Sequence, residues 1–216
     1  KMDRPEDIEP DPHTGRVYVI LTKNANRKPQ ETEPANPRSE NKFGHIIELI
    51  PPGSEGPKGR MANSDHAATT FRWEMFLMGG DPSNAGHGAK YGPGVKEGYL
   101  AAPDNLAFDR RGHMWIVTDG QDAAINAADS IYACDINGPR RASTKLFFNA
   151  PRGAEVCGPC FTPDAKTLFL AIQHPGEEKG STFAKPSTRW PDFKADVPPR
   201  PSVIAVTKDD GGEVGG

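Results

Sequence analysis

Apolar and polar positions along the chain follow one pattern that occurs three times. Each copy begins near an acidic residue, continues through a short apolar stretch and a turn rich in Asp, Pro or Gly, and ends in a strongly apolar stretch. The copies are residues 4–22 (RPEDIEPDPHTGRVYVILT), 102–120 (APDNLAFDRRGHMWIVTDG) and 153–174 (GAEVCGPCFTPDAKTLFLAIQH). Because β-branched and aromatic residues favour buried strands while Asp, Pro and Gly favour tight turns, each copy predicts a β-hairpin.

Further apolar stretches of strand length follow each hairpin. They are residues 44–50 and 71–78 after the first copy, 130–136 and 144–150 after the second, and 202–208 after the third. The sequence therefore predicts two meanders of four strands and a third meander that lacks its fourth strand.

Four-stranded units that repeat at roughly 40–50 residues are typical of β-propellers. We therefore predict an all-β fold, a single β-propeller-like domain over residues 1–216, with about three four-stranded blades that form half of a six-bladed propeller. The approximate blades are residues 4–79, 100–150 and 153–208. An antiparallel sandwich is the alternative. Since three blades do not close a ring, we expect a missing N-terminal half of the same protein, or a second copy, to complete it.

Two long segments interrupt the first part of the chain. Residues 23–43 and 79–99 are too long for ordinary turns, and we expect them to be functional or covering loops. Residues 79–92 are rich in glycine but lack the spacing of a phosphate-binding loop, so they predict no nucleotide site. His45 is expected to begin a strand rather than to bind a ligand.

Composition and charge narrow the class of protein. The 23 glycines and 22 prolines among 216 residues disfavour a helical bundle and suit short strands joined by turns. A net charge of −3 supplies no basic field for nucleic acid, and no apolar run approaches the length of a membrane span. The chain begins with Lys-Met, and we expect it to be part of a larger protein whose export signal is not visible here.

The C-G-P-C stretch at residues 157–160 has the spacing of a redox dithiol. Such a dithiol needs a helix N-terminus to lower the thiol pKa, whereas here Pro163, a turn and a predicted strand follow. Neither a second cysteine pair nor a histidine pair is available for zinc, and three cysteines make no disulfide framework. We expect all three cysteines to pack inside strands.

A more informative pattern is the acidic residue near the start of each repeat. Glu6, Asp104 and Glu155 occupy matching positions, and equivalent positions of successive blades converge at one end of a propeller channel. Converging carboxylates repel one another unless a cation neutralises them, and oxygen donors suit Ca²⁺ or Fe³⁺. The acids predict a metal site, with turn acids or strand caps as the alternative.

Other polar residues lie close to these positions in the sequence. They are Asp7, Asn105, Asp119, Arg152 and His174. Arg152 precedes Glu155 by three residues, and a guanidinium is suited to bidentate contacts with phosphate.

The repeats and their neighbouring segments together resemble the C-terminal half of the PhoX-type alkaline phosphatases. The likeness rests on RPEDIEPDPHTGRVYVILTKN, ANPRSENKFGHIIEL, PDNLAFDRRGHMWIVTDG, GAEVCGPCFTPDAKTLFLAIQHPGE and PRPSVIAVTKDDGG. The resemblance implies a six-bladed propeller secreted to the periplasm. It also implies a phosphatase for diverse phosphate monoesters with a cluster of calcium and iron ions, part of which comes from the N-terminal half.

Carried over by position, the resemblance implies that Glu6 and Glu155 bind metal, with Asp104 as a further ligand and Arg152 contacting the substrate phosphate. Cys157 stands where relatives are expected to have a small polar residue. We therefore expect a metal-dependent phosphomonoesterase, with little activity from this chain alone. The alternatives are a non-catalytic propeller used as a binding or scaffold module, and a calcium-dependent lactonase-like hydrolase.

Overall fold

The computed structural model describes residues 2–55 and 60–216 and shows an all-β protein. Three antiparallel sheets contain four, four and three strands, as the meanders predicted. Within the described residues, the α-helical content is one five-residue helix, α1 (Gln121–Ile125). No helix in this part of the chain has the length and apolar character needed to cross a membrane.

The strands of each sheet follow one another along the chain. The first sheet contains β1 (Pro5–Pro10), β2 (Val17–Leu21), β3 (His45–Ile50) and β4 (Arg72–Met78). The second sheet contains β5 (Pro103–Phe108), β6 (Met114–Thr118), β7 (Ser130–Asp135) and β8 (Ser143–Asn149). The third sheet contains β9 (Glu155–Phe161), β10 (Thr167–Gln173) and β11 (Ser202–Thr207).

Aspartate side chains stabilise the turns that join the first two strands of each sheet. The carboxylates of Asp11, Asp109 and Asp164 each accept the backbone N–H two residues later, at 3.0, 2.9 and 3.1 Å. This local hydrogen bond mimics a backbone turn and explains why the sequence pattern located the hairpins correctly.

The second sheet lies between the other two, and its strand β6 is buried on both faces, whereas its edge strand β8 is largely exposed. All five residues of β6 are buried. Met114 and Ile116 pack in the core shared with the first sheet. Trp115 and Val117 pack in the core shared with the third sheet. Since each large apolar side chain contributes about 1.5–3 kcal/mol when fully buried, these two cores join the three sheets into one unit.

The first strands of the three sheets lie side by side, with β5 between β1 and β9. Side chains connect them directly to their neighbours. Asp7 of β1 accepts the backbone N–H of Leu106 in β5 at 2.8 Å. Asn105 of β5 accepts the backbone N–H of Gly158 in β9 at 3.2 Å. The starts of these strands, where the repeated acids occur, are therefore brought next to one another.

A buried polar cluster holds the first long segment against the first sheet. The Asp3 carboxylate accepts hydrogen bonds from Arg27 Nε at 3.0 Å, Arg27 Nη2 at 2.8 Å and Asn41 Nδ2 at 2.8 Å. His45 begins β3, as predicted, and its Nε2 donates to the Ala35 carbonyl at 2.8 Å. The charged groups are paired and hydrogen-bonded, as burial requires.

Apolar side chains remain exposed on the outer faces of the first and third sheets. Ile8 and Trp73 of the first sheet are 58% and 43% exposed, and Phe169 and Val203 of the third are 41% and 70% exposed. Apolar rows on a sheet face are commonly covered by another layer of structure.

Candidate functional site

Three carboxylates lie near the starts of adjoining strands from three different sheets. Glu6 is the second residue of β1, Asp104 the second residue of β5, and Glu155 the first residue of β9. Because these strands adjoin, the charges of Glu6 and Glu155 both act on Asp104. The structure thus brings Glu6 and Glu155 within electrostatic range of Asp104.

Asp104 is the most buried of the three, with 7% of its surface exposed. Burial and, after it, the charges of Glu155, Asp119 and Glu6 together raise the pKa of Asp104 to about 7, although Arg4 opposes them. Among the described residues, no donor forms a hydrogen bond or ion pair with its carboxylate. A buried carboxylate in this position is stabilised either by a proton or by a cation.

We call Glu6, Asp104 and Glu155 the acid cluster. Basic residues offset its negative charge on the side of β1. Arg4 Nη2 lies 2.7 Å from Glu6 Oε1, and Arg4 Nη1 lies 3.5 Å from Asp119 Oδ2. Lys23 Nζ donates to the backbone carbonyl of Asp119 at 3.0 Å and lies 3.5 Å from its carboxylate. Asp119, at the end of the second repeat, therefore joins the site together with two cations.

Glu155 is held on the opposite side by two donors. Cys157 Sγ donates to Glu155 Oε1 at 2.9 Å, and His174 Nε2 lies 3.2 Å from Glu155 Oε2. His174 Nδ1 lies 3.0 Å from Glu177 Oε2, so both ring nitrogens face carboxylates. Burial lowers the pKa of His174, but the hydrogen bond to Glu155 and the charges of Glu177 and Glu155 outweigh burial and raise it. The protonated imidazole, which donates from both nitrogens, is thus favoured.

Arg152 lies at the surface beside Glu155, with its side chain 72% exposed. Its Nε is 2.8 Å from Glu178 Oε1 and 2.7 Å from Glu178 Oε2. The hydrogen bond to this carboxylate and its charge raise the pKa of Arg152.

A cleft of about 520 Å³ opens beside the acid cluster. Its charged lining comprises Lys23, Asp119, Asp122, Asp129, Arg152, His174, Glu177 and Glu178. Asp119 and His174 connect this cleft to the acid cluster, since Asp119 contacts Arg4 and His174 contacts Glu155. An anionic group in the cleft would meet the cations Lys23 and Arg152, beside the five carboxylates of the same lining.

The carboxylates supply donor chemistry that fits hard cations, although they do not form a complete metal site. Over residues 2–55 and 60–216, no group of three His, Cys, Asp or Glu side chains has the arrangement needed to hold a metal ion. The oxygens of buried Asp104 accept no hydrogen bond from the described residues and fit a cation. The carboxylate of Glu6, in contrast, already contacts Arg4, and that of Glu155 already contacts Cys157 and His174. Glu6, Asp104 and Glu155 therefore fit a metal site as some of its oxygen ligands, and such a site needs further ligands.

The C-G-P-C stretch lacks the helix that would activate a redox dithiol. The C-G-P-C stretch lies within β9, so no helix N-terminus faces Cys157. Burial, with the hydrogen bond and charge of Glu155, raises the pKa of Cys157, which keeps it a thiol. All three cysteines are free; Cys134 is buried as expected, but the expectation was wrong for Cys160, which is exposed.

Sequence reasoning located some of the site's residues and missed others. His174 and Asp119 lie in the site, whereas the hydrogen bonds of Asp7 and Asn105 link neighbouring strands. Arg4, Lys23 and Glu178 were missed. Each is a charged residue outside the strands, where neither periodicity nor a motif distinguishes it from an ordinary surface residue.

Comparison with known proteins places these observations in one family. A family model described as Alkaline phosphatase PhoX matches residues 1–176. A solved structure, Pseudomonas fluorescens PhoX in complex with vanadate, a transition state analogue, is similar over 100% of this chain, with 34% sequence identity and a TM-score of 0.76. The chain spans 35% of the length of that protein. No curated protein matches the chain.

Proposed function

The chain belongs to the alkaline phosphatase PhoX family, and we propose that it supplies part of the active site of a metal-dependent phosphatase that hydrolyses phosphate monoesters. The observation that carries this proposal is Asp104, a buried carboxylate that lacks a donor among the described residues and lies among three further acids. Such a group is suited to a cation, and a cleft containing Arg152 lies beside it.

Glu6, Asp104 and Glu155 are the proposed ligands for calcium and iron. Their oxygen donors suit both hard cations, and the remaining ligands would come from chain beyond these residues. When bound, the cations supply positive charge that polarises the phosphoryl group. The role of this chain's carboxylates is to hold that charge at the edge of the cleft.

Arg152 is proposed to bind the phosphoryl oxygens. Glu178 occupies the Nε side of its guanidinium, which leaves the two terminal amino groups for an anion in the cleft. A planar guanidinium matches two oxygens of a phosphate, and the bond strengthens as negative charge develops on those oxygens.

The three sheets are proposed to be three blades of a six-bladed propeller, with blades over residues 4–79, 100–150 and 153–208. Support comes from the adjacent first strands and from the exposed apolar side chains of the two outer sheet faces. Further blades would cover those faces, supplied by the rest of the protein or by a second copy. A folded, non-aggregating monomer of this chain in light scattering would exclude the second copy.

The family resemblance also supports a periplasmic or secreted location, which fractionation of the cells that produce the protein would test. The chain by itself is proposed to have little or no phosphatase activity, since its described residues offer no complete metal site. Robust turnover of p-nitrophenyl phosphate by the isolated chain would contradict this.

The decisive experiment measures p-nitrophenyl phosphate hydrolysis by the intact protein, with calcium and after chelation. We expect chelation, Glu6→Ala and Glu155→Ala each to reduce kcat by about 10²-fold or more, the usual effect of losing electrostatic stabilisation. Asp192→Asn, which removes an exposed partner of Arg200, is the control and should leave activity unchanged. Full activity in both glutamate variants would reject the site. Lactone hydrolysis without phosphatase activity would favour the lactonase-like alternative.

A further inference from the structure

The five residues after β10, His174 to Glu178, dock onto the residues that precede and begin β9. We call residues 174–178 the docking segment. The backbone N–H of Gly176 donates to the Arg152 carbonyl at 2.8 Å, and that of Glu177 donates to the Gly153 carbonyl at 3.1 Å. Two backbone hydrogen bonds therefore connect a loop to the stretch that contains both Arg152 and Glu155.

Side chains of the same segment contact both of these residues. His174 Nε2 lies 3.2 Å from Glu155 Oε2. Glu178 Oε2 lies 2.7 Å from Arg152 Nε. One short segment thus contacts the proposed metal ligand at its first residue and the proposed phosphate ligand at its last residue.

Gly153 permits this close approach. It has a φ of +65°, and a Cβ added to it would lie 2.9 Å from the Glu177 nitrogen and 2.9 Å from Glu178 Cγ. Any larger residue would push the docking segment away and would also strain the backbone. The contact is thus specified by residues on both sides of it.

We propose that the docking segment is a positioning element for the phosphatase site, in which His174 orients Glu155 and Glu178 orients Arg152. This inference rests on the proposed function. An exposed Arg–carboxylate pair contributes only about 0–1 kcal/mol to folding, so the pair formed by Glu178 matters for the direction of the guanidinium rather than for stability. Fixing Arg152 through Nε presents its terminal amino groups to the cleft before the substrate arrives.

The first test replaces Glu178 in the intact protein. Glu178→Ala should raise the KM for p-nitrophenyl phosphate and the Kd for inorganic phosphate about 3–10-fold each, with metal content unchanged. Glu178→Gln keeps one acceptor oxygen and should lie between Glu178→Ala and wild type. Asp192→Ala removes an Arg–carboxylate pair of similar geometry and exposure from the same loop and should change neither constant. A lower KM in Glu178→Ala would overturn the inference, because it would show that Glu178 competes with phosphate for Arg152.

The second test replaces His174 and measures metal content after dialysis, a readout that needs no turnover. His174→Gln places a donor near the position of Nε2 and should retain metal. His174→Asn reaches only the position of Nδ1 and should weaken metal binding about 10–100-fold, as loss of a ligand's supporting hydrogen bond does.

Backbone strain predicts the opposite order for the two His174 variants. His174 has a φ of +37°, a conformation that asparagine tolerates better than glutamine. Metal loss greater in His174→Gln than in His174→Asn would therefore overturn the positioning role.

The readouts separate failure of this inference from failure of the proposed function. A wild-type protein without turnover rejects the phosphatase, while phosphate affinity and metal content still decide whether the segment positions Arg152 and Glu155. An active wild type whose Glu178 and His174 variants match it in KM, phosphate affinity and metal content rejects the positioning role alone. A wild type that binds neither metal nor phosphate rejects both.

Discussion

Replacing Asp104 by asparagine is expected to stabilise the metal-free protein at pH 8. The carboxylate lies among Glu155, Asp119 and Glu6, and its pKa rises from the ordinary 3.8 to about 7. One pKa unit corresponds to about 1.4 kcal/mol, so ionising Asp104 costs at most about 4 kcal/mol. Screening by water at the edge of the site reduces this to about 2 kcal/mol. Asparagine has a similar shape and no charge, and its amide can donate to the neighbouring acids.

The pH dependence of this effect has a definite sign. The pKa of Asp104 is higher in the folded than in the unfolded protein, so the folded state binds the proton more tightly between pH 4 and 7. The metal-free wild type should therefore lose stability, relative to Asp104→Asn, as pH rises through this window. The advantage of the variant should be near zero at pH 4 and complete above pH 7.

Urea denaturation of the intact protein in a chelating buffer at pH 4.5 and pH 8 measures this difference. Excess calcium should reverse the order at pH 8, because a cation that binds only the folded state stabilises the wild type more. A metal-free Asp104→Asn variant that is less stable than wild type at pH 8 would refute the reasoning.

Asp129 provides a matched control with the opposite expected sign. Burial raises its pKa to about 6, yet its carboxylate accepts hydrogen bonds from Thr118 Oγ1, Gly120 N and Gln121 N, each at 2.9 Å. Asp129→Asn should therefore destabilise the protein by about 1–3 kcal/mol. Its amide oxygen can replace Oδ1, which accepts all three bonds, but its NH₂ then replaces Oδ2, which also accepts from Gly120 N at 2.9 Å, and two donors face each other. Comparing Asp104→Asn with Asp129→Asn therefore separates the effect of hydrogen bonds to a buried carboxylate from the effect of its burial.

Two further predictions concern the buried cluster around Asp3. Asp3→Ala should cost about 3–5 kcal/mol of unfolding free energy in urea, because it leaves the Arg27 guanidinium buried without its carboxylate, and a loss below about 1 kcal/mol would contradict this. Burial lowers the pKa of His45 from 6.5 to about 4, only partly opposed by its bond to the Ala35 carbonyl. Wild type should therefore lose about 3 kcal/mol relative to His45→Gln as pH falls from 6.5 to 4, and equal pH profiles in urea denaturation would exclude this.

Much of the strand pattern could be predicted because its causes are local. Successive side chains of β6 pack alternately against the first and the third sheet. Because both faces of the strand are buried, its sequence is a nearly continuous apolar run. The turns were predictable because their hydrogen bonds are local. The carboxylates of Asp11, Asp109 and Asp164 each accept the backbone N–H of the residue two positions later. The repeated position of Glu6, Asp104 and Glu155 also predicted that Asp104 would lie near the other two acids, since equivalent strands of similar sheets lie side by side.

The chemistry around those acids could not be predicted from the sequence. Whether Asp104 lacks a donor while Asp129 has several depends on loops and strands that meet only in the folded chain. Cys160 was misjudged for a related reason, because its exposure depends on whether another layer covers the outer face of the third sheet.

By itself the sequence determined the strands, the hairpin turns and the repeated acids, because these depend on side-chain alternation and on hydrogen bonds between near neighbours. Only the tertiary structure decided that Arg4 and Lys23 balance Asp119, and that the docking segment contacts Arg152 and Glu155. These contacts join residues from about 20 to more than 100 positions apart through irregular loops, whose conformation has no period that a sequence can display.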